Sequence, residues 1–399
     1  MKRALFLFFL LTQHPVLFSQ NWVPLDQGIE CFYNADVKDM CVDSTNDLLR
    51  VSGMFNQDGN CVAMRGIAQW NGTEWDSIGI GEGNAVKYGI YQYHDTLLVY
   101  GNFTDSNIIF YWAKWNGTSW DSIPGGPNAG VMCYAERGDS LFLGGWFDHC
   151  GSDSTFLLAV YDGQQINGIS QYCGIQGGWV INAMTFYNNN LYVGGNFDTW
   201  PSTLAINDFG MWNGSDSILP VLPIFEQAPC LIEDMIVYQN ELYISGWFRQ
   251  QDGFPSSYIM KYDGQQLTSV GGGANERVTA MKIHNGELYI GGYFSQVGNV
   301  QSKHVAKWNG SQWFSLSTDS LTGSYPLVQD IDFYRDSLII SGNFRAINGD
   351  SSMQRIAKYN HALIIGVPEQ LTQIQVSAAP NPSCDMLEFR FSSEGMRTI

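Results

Sequence analysis

Charge is scarce in this 399-residue chain, and positive charge scarcest: 15% of residues are charged, with 20 Lys and Arg against 38 Asp and Glu. The formal net charge is −18, and loss of an N-terminal segment carrying Lys2 and Arg3 would make it −20. Phosphate backbones are gripped through Lys and Arg, so nucleic acid is excluded as a partner and anionic membrane surfaces are disfavoured. Histidine is rarer still, with six. His14 falls in the leader, His94 and His284 at equivalent turns of different repeats, His149 in a loop, His304 before a strand and His361 after one. None has metal-ligand spacing, so no metal and no cofactor is expected. Phosphate-cradling glycine loops, nucleophile elbows and paired-carboxylate motifs are missing too, and no catalytic residue is assigned. Past residue 19 no stretch approaches 18 uninterrupted apolar residues, so membrane insertion is not expected.

What is present is apolar, aromatic and glycine-rich: 45% hydrophobic residues, 43 Gly, 20 Tyr, 23 Phe and 13 Trp. Such a mixture suits tightly turned β-sheet and argues against disorder. Residues 1–19 read as a secretory signal. Lys2 and Arg3 form a basic start, residues 4–11 are apolar but too short to span a bilayer, and Leu17 and Ser19 frame a cleavage site before Gln20.

The segment Leu-Tyr-Val-Gly-Gly-Asn-Phe at 191–197 recurs in altered form seven times, its second glycine at Gly53, Gly101, Gly145, Gly195, Gly246, Gly292 and Gly342. Spacings of 44 to 51 residues mean stacked supersecondary units. Each unit holds four strand-like pieces. In one of them a strand starts at Val278, a second is Leu288-Tyr-Ile-Gly-Gly-Tyr-Phe294, a third ends Val305-Ala-Lys-Trp308 and a fourth is Trp313-Phe-Ser-Leu316. Asn309-Gly310 between the last two predicts a type I′ hairpin. The third-strand signature also appears seven times, from Ala68-Gln-Trp-Asn-Gly72 to Ala357-Lys-Tyr-Asn360. Four antiparallel strands repeated about an axis predict an all-β, seven-bladed β-propeller over residues 20–366. The glycine ending the second strand would permit close backbone approach between sheets.

The fourth strand tests the count. Trp75-Asp-Ser-Ile78, Trp120-Asp-Ser-Ile123, 166–169, 215–218, 267–270 and 313–316 make only six. The seventh is at the other end of the chain, where Trp22-Val-Pro-Leu25 has the same Trp-x-x-Leu pattern. The N-terminal strand is therefore expected to complete the last blade and remove the free edge of an open sheet.

The Leu-Tyr-Ile-x-Gly, x-Tyr-Asp and Trp-x-x-Leu elements resemble kelch repeats, and more closely the Gly-Gly-Asn-Phe type of propeller repeat of bacterial surface proteins. The short Asn-Gly hairpin departs from kelch. Residues 367–376 read as a linker. Ser377-Ala-Ala-Pro-Asn-Pro-Ser383, followed by Asp385-Met-Leu-Glu-Phe-Arg-Phe391, resembles the opening of the type IX secretion sorting domain of Bacteroidota. That resemblance implies the type IX machinery as a partner and a secreted or cell-surface location, periplasmic if the sorting domain does not function. The chain ends at Ile399, before the later strands and basic residues of such domains.

Asp39, Asp234 and Asp330 fall at one equivalent position of the innermost strands and are read as lining a solvated acidic channel. Asn56-Gln-Asp-Gly-Asn60 looks like a calcium loop, but its counterpart Ser295-Gln-Val-Gly-Asn299 has no carboxylate, so a turn is the simpler reading. Of eight cysteines, Cys31 with Cys61 and Cys150 with Cys173 would lie on one face and could pair; all reduced and buried is the alternative. Asp-Ser/Thr-apolar triplets such as Asp76-Ser-Ile78 resemble O-glycosylation acceptors of the same phylum, and also suit turns. Trp200 and Phe254, each beside a proline in a loop, are the candidate ligand contacts. The reading is a non-enzymatic binding or adhesion module for a glycan or protein. Its alternatives are a glycan-active or kelch-type oxidase enzyme, and a structural part of a surface assembly.

Overall fold

A computed structural model describes residues 22–30, 36–79, 86–105, 108–169, 180–197, 208–212, 214–215, 218–221, 231–250 and 255–360, with two strands beyond. It is a seven-bladed β-propeller: seven four-stranded antiparallel sheets, each ordered one to four from the axis outward. The first strands are Asp36–Asp43, Val86–Tyr93, Val131–Arg137, Val180–Tyr187, Leu231–Tyr238, Val278–His284 and Val328–Tyr334. Each packs on the next, and the first packs on the seventh, so the ring is closed. The propeller unit runs from Gln20 to Asn360. In a separate unit, Ser377–Pro380 pairs antiparallel with Leu387–Arg390. The linker 367–376 lies outside the described residues.

The core is divided into seven hydrophobic clusters, one per junction between blades. At the junction of blades seven and one, Tyr334, Ile339 and Ile356 meet Leu49, Val51, Trp70 and Trp75. Blade-to-blade burial of this kind, not burial within a sheet, supplies the apolar driving force. A polar latch recurs beside it. Tyr93, Tyr187, Tyr238 and Tyr334, each ending a first strand, donate their hydroxyls to the carbonyls of Asp139, Asn240, Gly286 and Asp47 in the following blade.

Closure is made by the N-terminal strand. Trp22 pairs with Tyr359 and Val23 with Lys358, placing Trp22–Val23 as the outer strand of blade seven. The Trp22 indole is 1% exposed, meets the Tyr359 ring edge-on at 5.1 Å, and donates to the Ser317 hydroxyl at 3.2 Å. Leu25 then turns under blade one, buried beside Ile29, Trp70 and Trp75. Its carbonyl accepts from the Trp75 indole at 3.2 Å. The same bond recurs from Trp313 to the Val270 carbonyl and from Trp120 to that of Ile78. Leu25 thus does at the closing junction what Val270 and Ile78 do elsewhere, so the seam is built like the other joints.

Two expectations are corrected. The second glycine of each repeat meets its own blade, not the neighbouring sheet. A Cβ on Gly53, Gly145, Gly195, Gly246, Gly292 or Gly342 would sit 1.9–2.3 Å from a carbonyl oxygen of the first strand or the residue before it. There the first strand bulges, at the same register in all seven blades. The preceding residue is the one that faces the next blade. It is glycine at Gly144, Gly194 and Gly291, whose added Cβ would crowd Met184, Ile232 and Val328. It is a buried serine at Ser52, Ser245 and Ser341, whose hydroxyls have no partner.

The Asn-Gly hairpin is not a two-residue type I′ turn. It is a four-residue loop in which the Asn309 side chain accepts from the N–H groups of Ser311 and Gln312 and only Gly310 has positive φ. Asn71, Asn116, Asp162 and Asp263 cap their loops in the same way. Turns with two successive positive φ values join first to second strands at Asn188-Asn189, Gln239-Asn240, Asn285-Gly286 and Arg335-Asp336. Three of the four contain no glycine, and a glycine-based signal passes over those.

Candidate functional site

Two surfaces of the ring bear on function: its axis and the face that carries the ends of the second strands. A cavity of about 560 Å³ on the axis is lined by all seven first strands. The residue after each bulge is Asp39, Gly89, Cys133, Ala183, Asp234, Ala280 or Asp330. The three aspartates share one ring position and line this cavity, half-buried, but their carboxyls are not free. Each turns sideways and staples two blades. Asp234 accepts from the N–H of Met235 at 2.7 Å and of Met281, in blade six, at 2.6 Å. Asp330 accepts from Ile331 and, across the seam, from Met40 at 2.8 Å. Asp39 accepts from Met40, from Ile90 in blade two and from the Tyr100 hydroxyl.

The Met40 N–H is shared by Asp39 and Asp330, so these two carboxyls are in contact. No motif in the sequence announced the pair, because Asp330 lies nearly 300 positions beyond Asp39. The signal available was their equivalence in blades that become neighbours only when the ring closes. Burial raises Asp39 to about 6 against the pull of its N–H donors. Asp330 is held well above the usual carboxylate range by burial and then by the charges of Asp39 and Asp332, with Lys282 opposing. Burial likewise drives Asp234 up to about 7. Lys282 reaches Asp332 at 2.9 Å and is the cation facing this group.

These shifts have a sign that can be measured. A carboxyl whose folded pKa lies above its unfolded value stabilises the fold most below the unfolded value and loses that contribution as pH rises through the folded one. His304, buried and thereby favoured neutral, works the other way below its ordinary pKa. The difference between wild type and Asp234→Asn isolates the carboxyl. From pH 5 to pH 8 wild type should lose about 2–3 kcal/mol relative to the variant. Parallel stability–pH curves from denaturant titrations would contradict it.

The face bearing the second-strand ends is different in character. In Gly-Gly-x-Phe the phenylalanine points inward: Phe147, Phe197, Phe248, Phe294 and Phe344 are fully buried. The x residue points out. It is aromatic in three blades, as Trp146, Trp247 and Tyr293, which are 49%, 44% and 39% exposed. Main-chain bonds fix these positions: Trp146 N–H to the Gly130 carbonyl at 3.0 Å, and Tyr293 N–H to that of Arg277 at 2.9 Å. Tyr325, on the connection between blades six and seven, is the fourth exposed aromatic among the described residues.

Trp200 and Phe254 lie outside the described residues. So do Cys31 and Cys173, and with them the two proposed pairings; Cys61 is exposed and Cys150 buried, neither with a disulfide partner among the described residues. Trp22 and Leu25 are at the seam. His149 is exposed and bonded to Asp148 at 2.7 Å, while His284 stacks on Phe333 with ring centroids 3.8 Å apart. In the calcium-like loop, Asp58 caps a turn through the N–H groups of Asn60 and Val62. Among the described residues no three His, Cys, Asp or Glu side chains cluster so as to hold a metal.

No protein-family model matches the chain, and no curated protein matches it. Solved structures do. The chain is similar to the extracellular domain of a putative one-component system from B. thetaiotaomicron, at 13% identity and a TM-score of 0.55. The match covers 86% of this chain and 40% of that one, so the chain spans less than half of that structure. It also aligns with the WD40 β-propeller domain of Doa1 at 12% identity and a TM-score of 0.48, over 85% of this chain and 97% of that one. At these identities the likeness speaks for the fold alone.

Proposed function

We propose that the chain is an exported propeller of the kelch-like, Gly-Gly-Asn-Phe kind that serves as a binding or adhesion module for a glycan or protein. The observation that carries the reading is the exposure of Trp146, Trp247 and Tyr293 at one repeat position on one face. Large aromatics rigidly displayed on strand ends are the residue types that anchor ligands. The leader and the tail resembling a type IX sorting domain fit a surface location, as the resemblance to bacterial surface repeats does. The axial carboxylates support this reading over a glycan hydrolase. Glycosidase carboxyls stand about 5–9.5 Å apart to leave room for a nucleophilic attack or a water. Asp39 and Asp330 touch, and their oxygens are taken by main-chain donors.

The test uses the purified full chain on a glycan array and in surface-plasmon experiments against isolated cell-envelope fractions. Saturable binding in either, abolished when Trp146, Trp247 and Tyr293 are all changed to alanine, is expected. No binding in both formats would overturn the proposal.

A further inference from the structure

Between blades five, six and seven, the aromatic face is hollowed into a cavity of about 360 Å³. Its walls include Trp247, Tyr293 and Tyr325, with Glu276, Arg277 and Leu327. We propose that this cavity is a saccharide-binding subsite that takes a neutral pyranose between the aromatic rings; the proposal rests on the binding-module reading and names its ligand class.

Size is the first argument. The volume sits near the lower end of the roughly 300–1,000 Å³ typical of small-molecule sites, and a folded partner would need a far broader surface. Chemistry is the second. A pyranose has apolar C–H faces and a rim of hydroxyls that both donate and accept, so it needs flat aromatic walls beside a donor and an acceptor. Trp247, Tyr293 and Tyr325 supply the walls. The Glu276 carboxylate is an acceptor that makes no ion pair among the described residues, while the Arg277 guanidinium is a donor held in place by Glu233.

Charge narrows the class further. An anionic ligand would meet Glu276 and a chain of net charge −18. A quaternary ammonium, the other usual guest of aromatic walls, has no hydroxyls to engage the Arg277 donor, whose charge Glu233 already balances, and competition by tetramethylammonium tests for it. A purely aliphatic ligand would desolvate the Glu276 carboxylate without giving it an ion-pair or hydroxyl partner.

The third argument is strain. Tyr325 adopts φ of +58° directly before Pro326 while 82% exposed. An aromatic residue in the left-handed region is an outlier, and the residue before a proline is normally extended. Nothing in its own packing recovers that cost, since the ring stands in solvent at the edge of the cavity. Strain kept in an exposed aromatic is the pattern of a residue held ready for a ligand. Trp247 is preset as well. It ends the second strand of blade five opposite Leu231, so its backbone has little freedom left to lose on binding.

The experiment is a calorimetric titration of the full chain with five neutral hexasaccharides (cello-, xylo-, manno-, malto- and chitohexaose), with saturation-transfer NMR to identify the contacted protons. At least one should bind. Trp247→Ala and Tyr325→Ala should each weaken it tenfold or more with the melting temperature unchanged, whereas Trp146→Ala, in blade three, should leave it intact. Trp247→Phe should retain part of the affinity. Tetramethylammonium should not compete. Binding that survives Trp247→Ala and Tyr325→Ala would place the sugar elsewhere and overturn the proposal while leaving the module reading in place. Competition by tetramethylammonium, or failure of all five sugars, would overturn it too. If the array and envelope experiments are also blank, the broader reading falls with it.

Discussion

Deleting residues 20–27 should cost the propeller about 3–5 kcal/mol or more, far beyond a surface truncation. The deletion removes the buried Trp22 indole, its bond to Ser317, and the main-chain pairing with Lys358 and Tyr359. It also strips Leu25 from the cluster shared by blades seven and one and leaves the Trp75 indole N–H without its acceptor. The strand Ile356–Tyr359 then becomes an open edge, and open edges recruit other chains. Thermal melts and static light scattering should show a large fall in melting temperature with concentration-dependent aggregation. A truncated protein that melts with wild type and stays monomeric would contradict the closure. Trp22→Ala alone should reproduce much of the loss in stability without the full aggregation, because Val23 and the strand backbone remain.

Gly342→Ala should be nearly as damaging, at about 3 kcal/mol or more, although it adds a single methyl group. The new Cβ would lie 1.9 Å from the Leu327 carbonyl oxygen, and that carbonyl belongs to the backbone entering the bulge of the same blade. Neither partner is a side chain that can swing away. Gly291→Ser, one repeat position earlier in another blade, provides the contrast. Its Cβ would press on the Val328 and Ile331 side chains at 2.8 and 3.0 Å, and blades one, five and seven already hold serine there. It should cost markedly less. Chemical denaturation of the two variants separates backbone conflict from side-chain crowding; equal losses would mean the bulge can yield.

The parts of this molecule that repeat were legible in its sequence, and the parts that vary were not. Blade number, strand order and closure follow from positions that must be alike in every unit. They are the second glycine, the third-strand aromatic, and the Trp-x-x-Leu pattern that Trp22 and Leu25 carry to the other end of the chain. The same averaging hides the candidate site. The x of Gly-Gly-x-Phe runs Met54, Asn102, Trp146, Asn196, Trp247, Tyr293, Asn343, and so looks like noise in a repeat pattern. Only the fold shows that this position faces solvent in register around one face. Trp200 and Phe254 stand out in the sequence instead, because each is an aromatic beside a proline in a loop. The aspartates were placed at the correct ring position, but not with the correct neighbours. Their direction is set by the bulge just before them, and a period-2 reading of the first strand carries no sign of a bulge.

The seam between Trp22 and the last blade also imposes an order in time. The first strand of the propeller to leave the ribosome finds its partners only after nearly the whole chain has followed, with Ser317 lying 295 residues away. In a flexible chain, closing a loop of that length would cost about 5 kcal/mol beyond the fixed term, so closure before the intervening blades fold is disfavoured. Blades one to six can each form from contiguous chain; blade seven cannot. A chain delivered across a membrane N-terminus first would thus hold a nearly complete ring with one unsatisfied joint until its C-terminal blade arrived. The slowest step of maturation is therefore expected at that joint, and an agent that delays it would trap an open ring whose exposed edge pairs with other chains.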